Sequence, residues 1–294
     1  MKISVIIPTY NRVGLLTRQL RSLSKQTLSA TLFEIIVVND GSNDGTTDFL
    51  EKWSTENRHY HVIHQVNAGP ARARNAGIAM ASGEIIAFTD DDCEVHEDWL
   101  EIVLHSMRSE IVGLQGATYT DHSQVTPLTH QIDNETGHNS TPTCNAAYRK
   151  SILQAVGGFD ETFPNPHNED TDVSWRVREL GQVLFCPAMR VYHPPRRDKF
   201  LKVARRMKIM ECEFTLFRKN PQLYRRYRDS NPFRHIYIEV FIKTIGYYFF
   251  SRVKLWNKPK QMIQGMSLAV AWWYSLLVKL PRYYRLQRAL DTRF

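Results

Sequence analysis

Apolar and polar positions fall into alternating blocks along the first third of the chain. "ISVII" (3–7) is a short β-branched run stopped by Pro8, the pattern of a buried strand. "GLLTRQLRSLSKQ" (14–26) places its apolar residues at helical spacing. "FEIIVVND" (33–40) reads as a strand, "DGTTDFLEKW" (44–53) opens a helix, and "HVIHQV" (61–66) is a third strand. In "GPARARNAGIAMAS" (69–82) Pro70 stands at the first helical position, where a missing N–H costs nothing. "EIIAFT" (84–89) is the fourth strand. Continuous apolar strands separated by helices predict a parallel sheet covered on both faces. Such sheets bind ligands beyond the carboxyl ends of their strands.

The polar residues gather at those ends. Strand one leads to Thr9, Asn11 and Arg12, strand two to Asn39, Asp40 and Ser42, strand three to Asn67 and Gly69, and strand four to Asp90, Asp91 and Asp92. Loops are polar in general, which explains any one of these ends but not all four together. Further on, "TYTDHSQVTPLTHQIDNETGHNSTPT" (118–143) is a long polar loop region of weak pattern. "YRKSILQAVGGF" (148–159) predicts a helix ending at Gly157-Gly158. "EDTDVSWRVREL" (169–180) predicts another with an acidic start, ending before Gly181. "QVLFCP" (182–187) and "RVYH" (190–193) predict two short strands. There are no internal repeats and no low-complexity segment.

A length of 294 residues suits one large domain or a domain with an appendage, and 43% hydrophobic residues mark a globular chain. The N-terminal apolar run breaks at Pro8, too early for a signal peptide. Cys93, Cys144, Cys186 and Cys212 are scattered without metal spacing, as expected of buried, reduced thiols in a cytosol. Charge divides the chain sharply. Residues 1–195 carry 15 Lys and Arg against 24 Asp and Glu, a net −9; residues 196–294 carry 23 against 6, a net +17. In the basic part, aromatics interleave with cations in "FRHIYIEVFIKTIGYYFFSRVKLW" and "MSLAVAWWYSLLVKLPRYYRLQR". The apolar run Met266 to Val278 has 13 residues, whereas spanning a bilayer takes roughly 20. Cations beside Trp272, Trp273, Tyr247 and Tyr248 suit helices lying in an anionic membrane interface. Packing on the rest of the chain, or dimerisation, is the alternative for the same helices. No nucleic-acid recognition motif accompanies the charge.

Three adjacent aspartates, 90 to 92, repel one another, and a strand end has no folding need for them. On a short turn they can hold a hard divalent cation such as Mg²⁺ or Mn²⁺. The alternative is an acidic N-cap for the helical "EVHEDWLEIVLHSM" that follows. The triplet is not isolated. "ISVIIPTYNR", "IIVVNDGSNDGT", "NAGPARARNAG", "GEIIAFTDDDC", "VGGFDETF" and "NEDTDVSWRVRELG" occur in this order. Together they resemble the family 2 glycosyltransferases, over roughly two-thirds of the chain.

The resemblance implies a GT-A fold over 1–195, an α/β, Rossmann-like, mixed but mainly parallel sheet flanked by helices. The remainder, 196–294, is then a basic, aromatic-rich helical extension. It implies roles residue by residue. Asp40 accepts a hydrogen bond from the nucleotide base, while Asn39 stands where the family often has Asp. Pro8, Thr9, Tyr10 and Asn11 belong to the nucleotide site, with Thr9 and Tyr10 flanking base or ribose. Arg74 lies near the diphosphate or supports the loop from its helix, or else pairs with an aspartate inside the fold. Asp92 is the direct metal ligand, Asp90 reaches the ribose or the metal shell, Asp91 joins the nucleotide site, and His193 is a further metal ligand or a structural histidine. An inverting transfer needs a general base, which the match places at Asp170, with Glu169, Gly158 and Asn145 in acceptor or supporting roles. Helix capping by Glu169 and Asp172 is the competing reading.

The activity implied is a metal-dependent (Mn²⁺ or Mg²⁺), inverting transfer of a sugar from a nucleoside-diphosphate donor, expected to be a UDP-sugar. The acceptor expected is a hydroxyl of a glycan or lipid-linked molecule in cell-envelope polysaccharide or glycolipid synthesis. The expected location is cytoplasmic, peripheral on the inner face of the membrane, with the C-terminal helices also able to form oligomers. A polyprenyl-phosphate sugar synthase and a non-catalytic nucleotide-binding scaffold are the competing functions.

Overall fold

A computed structural model of the chain describes residues 2–56 and 59–292. By its internal contacts the chain divides into two units. The first comprises Met1–Thr120, Ile132–Thr162 and Glu169–Pro194; the second comprises Asp121–Gln131, Phe163–Asn168 and Pro195–Phe294.

The first unit opens with the alternation its apolar pattern predicts: β1 (Ile3–Thr9), α1 (Val13–Leu23), β2 (Phe33–Asn39), α2 (Thr46–Glu56), β3 (Tyr60–His64), α3 (Pro70–Met80) and β4 (Ile85–Phe88). A two-residue strand β5 (Glu94–Val95), helix α4 (Trp99–Ser106) and β6 (Ile111–Tyr119) follow. The chain passes through β7 (Thr129–His130), which lies in the second unit, and returns as β8 (Ala146–Arg149), α5 (Lys150–Ala155), α6 (Glu169–Arg178) and β9 (Gln182–Tyr192). The sheet order is β3-β2-β1-β4-β8-β6-β9-β5. β1 pairs in parallel with β2 and β4, β2 with β3, and β6 with β9; the contacts of β8 with β4 and β6, and of β5 with β9, are antiparallel.

Alternate residues of β1 explain why its run is apolar throughout. Ile3, Val5 and Ile7 face one core with Leu16, Leu20 and Leu23 of α1. Ile6 faces the other, with Ala73 and Ile78 of α3 and Val173 of α6. Both faces are covered, so neither tolerates a polar alternation.

Three strands of the sheet, β5, β6 and β8, escaped the sequence pattern: β5 lies in "EVHEDWLEIVLHSM", expected to be helical, where the helix begins only at Trp99, and β8 takes Tyr148 and Arg149 from the helix expected over 148–159. β6 is "IVGLQGATY", weakened in propensity by two glycines. A Cβ at Gly116 would stand 2.3 Å from the Asn145 side-chain nitrogen and 2.3 Å from the Met189 carbonyl. The glycine is there for close approach. The two short strands expected at 182–193 are one strand, β9, whose register against β6 shifts between Gly116 and Ala117. That irregularity is what split the pattern in two.

In the second unit β7 pairs antiparallel with β10 (Arg196–Arg197). Helices α7 (Phe200–Ala204), α8 (Glu211–Lys219), α9 (Pro221–Tyr227), α10 (Pro232–Arg234), α11 (Ile245–Ser251) and α12 (Pro259–Asp291) follow, with a π-helical stretch over His235–Thr244. α12 has 33 residues with Pro281 inside it. Its inward stripe is Gly265, Leu268, Ala269, Leu276, Tyr283, Gln287 and Leu290. Trp272 and Trp273 turn inward too: their ring N–H groups donate to the carbonyls of Val203 at 3.0 Å and Phe241 at 2.7 Å. Tyr248 packs against Trp272. Of the four aromatics assigned to a lipid-facing surface from sequence, only Tyr247 is exposed, at 75%. A buried indole N–H needs an acceptor, and the backbone of this unit supplies one. Among the described residues no helix is long and apolar enough to cross a membrane.

Candidate active site

The ends of β1, β2 and β4 and the start of α6 carry the candidate chemistry. After β1 the chain turns through Asn11, held in the left-handed region at φ 53. Its N–H donates to Ser42 Oγ at 2.9 Å and its Oδ1 accepts from the Asn43 N–H at 2.7 Å, so the turns after β1 and β2 are tied together. Pro8 is half-buried and Tyr10 exposed beside this turn. At the end of β2, Asn39 Oδ1 accepts from the Ser42 N–H at 3.0 Å while its Nδ2 donates to Thr47 Oγ1 at 2.9 Å and lies 3.1 Å from His64 Nδ1. An amide both donates and accepts, and a carboxylate could only accept; this accounts for Asn at the position where Asp is common.

Asp40 is buried. Its carboxylate accepts from Gln65 Nε2 at 2.7 Å and from the backbone N–H groups of Ala68 and Gly69 at 2.8 and 2.9 Å. In this arrangement it shapes the loop that launches α3. Gly41 lies at φ 77, and a Cβ there would meet the Asn67 nitrogen at 2.8 Å, so the same loop also excludes a side chain at 41.

The aspartate triplet divides its labour. Asp91 is turned into the fold: Thr9 Oγ1 and Arg12 Nη1 each donate to it at 2.8 Å. Burial pushes its carboxyl up to about 6 against the pull of Arg12. Asp92 lies 3.3 Å from the same Arg12 nitrogen. Asp90 pairs with Arg74 Nη2 at 3.1 Å, and Arg74 Nη1 pairs with Glu169 Oε1 at 3.1 Å. Arg74 is thus paired inside the fold at both of its terminal nitrogens. One buried guanidinium joins the end of β4 to the start of α6. The repulsion within the triplet is therefore met from two sides, by Arg12 and Arg74. Arg12 received no role from the sequence, although it sits in the same "TYNR" turn as Thr9, where three neighbouring carboxylates call for a cation.

Asp92 Oδ1 stands 3.7 Å from His193 Nε2. Ligand atoms of Asp92, His193 and Cys93 all lie within 4.8 Å of one another. A carboxylate and an imidazole converging in this way fit a divalent cation such as Mn²⁺. Asp90, held by Arg74, stands outside this cluster. The Cys93 thiol is pushed up by the neighbouring Cys144 and by burial, which favours its protonated form.

At the start of α6, burial and then the neighbouring Asp170 push Glu169 up to about 7, against the pull of Arg74. Its Oε2 is buried without a hydrogen-bond partner. Asp170 is half-buried, and its Oδ1 accepts from the Thr171 N–H at 2.7 Å. Asp172 is buried and pairs with Arg176 at 2.5 Å, which commits it to the helix. Arg176 in turn donates to the Gly158 carbonyl at 2.9 Å, and Gly158 adopts φ 69 with Asn75 Oδ1 2.7 Å from where a Cβ would be. Asn145 is buried; its Oδ1 accepts from Trp99 Nε1 and its Nδ2 donates to the Ala117 and Met189 carbonyls, each at 2.9 Å. Gly158 and Asn145 thus make their contacts within the scaffold.

A mainly parallel sheet with acidic groups gathered along one rim is the architecture of the GT-A glycosyltransferases. The mannosyltransferase PcManGT of Pyrobaculum calidifontis, solved with GDP-Man and Mn²⁺, aligns with TM-score 0.61 at 18% identity, over 95% of this chain and 86% of that one. Staphylococcus aureus TarS, solved with UDP-GlcNAc, aligns with TM-score 0.57 at 18% identity, over 92% and 91%. In sequence, the glycosyltransferase AglE of Haloferax volcanii is 31% identical over 208 residues, covering 66% of this chain and 67% of AglE. The stretch shared with another relative spans only 15% of that relative's length. The pattern of the family described as glycosyl transferase family 2 matches residues 4–168. The chain belongs to glycosyl transferase family 2. Membership supports an enzyme that transfers glycosyl groups.

Proposed function

We propose that the chain is an inverting glycosyltransferase that moves a sugar from a nucleoside-diphosphate donor to a hydroxyl of a glycan or lipid-linked acceptor in cell-envelope polysaccharide or glycolipid synthesis. The observation that carries this reading is the Arg74 bridge. It sets the Asp90–Asp92 cluster and the Glu169-Asp170 pair on one rim, joined by a single buried cation with two 3.1 Å contacts. Donor chemistry and base chemistry have to meet at one anomeric carbon, and this arrangement brings their candidates together.

Asp92 and His193 are the residues that would hold a divalent cation, Mn²⁺ or Mg²⁺, which supplies charge compensation to a departing diphosphate. Thr9, Tyr10, Asn11 and Asp40 form the floor for the nucleoside. Relatives of this fold are solved with UDP-GlcNAc and with GDP-Man; a UDP-sugar is our reading here. Asp170 takes the proton of the acceptor hydroxyl as that oxygen attacks, and the displaced group leaves from the opposite face, so configuration inverts. Asp172 is not available for this role, being paired with Arg176. Glu169, with its raised carboxyl and unpartnered Oε2, is the alternative base.

The second unit supports location at an anionic membrane surface. Of nineteen large hydrophobic side chains that are exposed among the described residues, fifteen lie in 195–294. On α12, Ile263, Val270, Tyr274, Leu277, Val278 and Tyr284 form an outer stripe at helical spacing, opposite the inward one. Tyr247, Phe250, Val253 and Trp256 add to it, with Lys243, Lys254, Lys258 and Lys260 exposed nearby in sequence.

The test is Asp170→Asn against Glu169→Gln. Nucleoside-diphosphate release from UDP-GlcNAc, UDP-glucose and GDP-mannose is followed with Mn²⁺ present, and UDP affinity is measured by calorimetry. Asp170→Asn is expected to keep UDP affinity and to lower release by roughly 10²–10⁴-fold. Release at the wild-type rate moves the base to Glu169, and no release from wild type with any donor overturns the transfer reading.

A further inference from the structure

Glu213 is a buried carboxylate that the proposed chemistry does not use. It lies in α8, 1% exposed. Its Oε1 accepts from Asn168 Nδ2 at 2.9 Å and its Oε2 from the Tyr224 hydroxyl at 2.8 Å. Arg228 stands 3.6 Å from Oε1 and also donates to Asn168 Oδ1 at 3.1 Å, while His235 Nε2 lies 4.0 Å away. Burial works to raise this carboxyl; Arg228, His235 and the two hydrogen bonds outweigh it, and the group stays ionised below the usual glutamate range. Removing one partner of such an enclosed anion leaves the rest uncompensated.

The partner it grips is unusual. Asn168 is 2% exposed and sits at φ 71, the left-handed region that non-glycine residues rarely adopt. Both ends of its side chain are engaged, by Glu213 and by Arg228. All of these residues belong to the second unit, which includes the segment Phe163–Asn168. The next residue along the chain, Glu169, is the first of α6, and Asp170 follows it. The backbone angles at 168 set the direction in which that helix leaves.

We propose that Glu213 is a positioning residue: by holding Asn168 in its left-handed conformation, it fixes the start of α6 and with it the Asp170 carboxylate. This rests on Asp170 being the base, as read above.

The test uses the full-length chain with Glu213→Ala, Glu213→Gln and Asn168→Gly, and two readouts. The first is hydrogen exchange of peptides covering 163–173, which needs no ligand. The second is nucleoside-diphosphate release from the three donors named above, with Mn²⁺, together with UDP affinity. Glu213→Ala is expected to speed exchange at 168–172 by tenfold or more. Release should fall by a similar factor through kcat, with the donor KM and UDP affinity within twofold of wild type. Glu213→Gln keeps an acceptor for Asn168 and should stay within about threefold of wild type. Asn168→Gly adopts the left-handed angles freely but loses the grip, so it should exchange faster while remaining folded, which serves if Glu213→Ala does not fold. Unchanged exchange in Glu213→Ala or Asn168→Gly overturns the clamp, whatever the fate of the base assignment. Faster exchange with unchanged kcat overturns the positioning role. Absence of release from wild type overturns the transfer reading, and the positioning role falls with it.

Discussion

The rim of the first unit and the outer helices of the second use the same residue types to opposite ends. At the rim, arginines turn inward: Arg74 is 5% exposed between Asp90 and Glu169, and Arg12 grips Asp91 and Asp92. In the second unit most cations face solvent beside exposed aromatics such as Trp256 and Phe250, and the buried Glu213 cluster is the exception. Buried pairs are costly to break but rigid. Surface cations contribute little to stability and act through the field they project. The net −9 and +17 of the two parts of the sequence are therefore different kinds of charge. One set is paired inside the fold, and the other lies mostly on the surface.

The contrast breaks most visibly at Arg74. Arg74→Met leaves Asp90 and Glu169 without their shared cation and should cost about 3–5 kcal/mol in urea unfolding. Lys254→Met on the exposed side should stay within about 0.5 kcal/mol. Equal losses would show that burial does not separate the two kinds of charge. Next in size, Asp92→Ala should weaken Mn²⁺-dependent UDP binding by roughly 100-fold, since one of few protein ligands is lost. Calorimetry with and without Mn²⁺ measures it, and an unchanged metal-dependent affinity removes Asp92 from the site.

For the second unit, the triple change Tyr247→Ser, Phe250→Ser, Trp256→Ser should reduce binding to anionic vesicles by roughly tenfold at high salt, where screening has already weakened the cations. Trp272→Ser should act instead through stability, because its ring faces the core of the unit. Failure of the wild type to sediment with anionic vesicles at low salt would count against a membrane and for packing between copies.

A separate effect is one of pH. The folded chain holds a proton on Glu169 up to about 7, whereas an ordinary glutamate releases it near 4.5, so stability should fall as pH rises between these values. Glu169→Gln should remove that decline. The part of the slope due to Asp91, between 3.8 and about 6, should remain. Melting temperatures from pH 4 to about 8 follow both. An unaltered slope above pH 6 would show that Glu169 is not the group responsible.

What could be read locally was read from the chain alone. Seven alternating elements from β1 to β4, Pro70 opening α3, the acidic start of α6 and the division of charge all depend on residues within a turn or two of each other. So did the gathering of polar groups at four strand ends, because a parallel sheet puts those ends on one side. Other features were settled only by the fold. Thr9 meets Asp91 across 82 residues and Arg74 meets Glu169 across 95. No periodicity encodes such pairs, which follow from the order of strands in the sheet. β5, β6 and β8 were missed because a two-residue strand has no period to read and because glycine and small residues carry little strand propensity; their places are set by pairing with β9, β4 and one another. Trp272 and Trp273 looked like an interfacial belt by composition, yet turned inward. An aromatic beside cations suits water, lipid or a core equally well in sequence, and the choice falls to whichever side offers a carbonyl to the indole N–H.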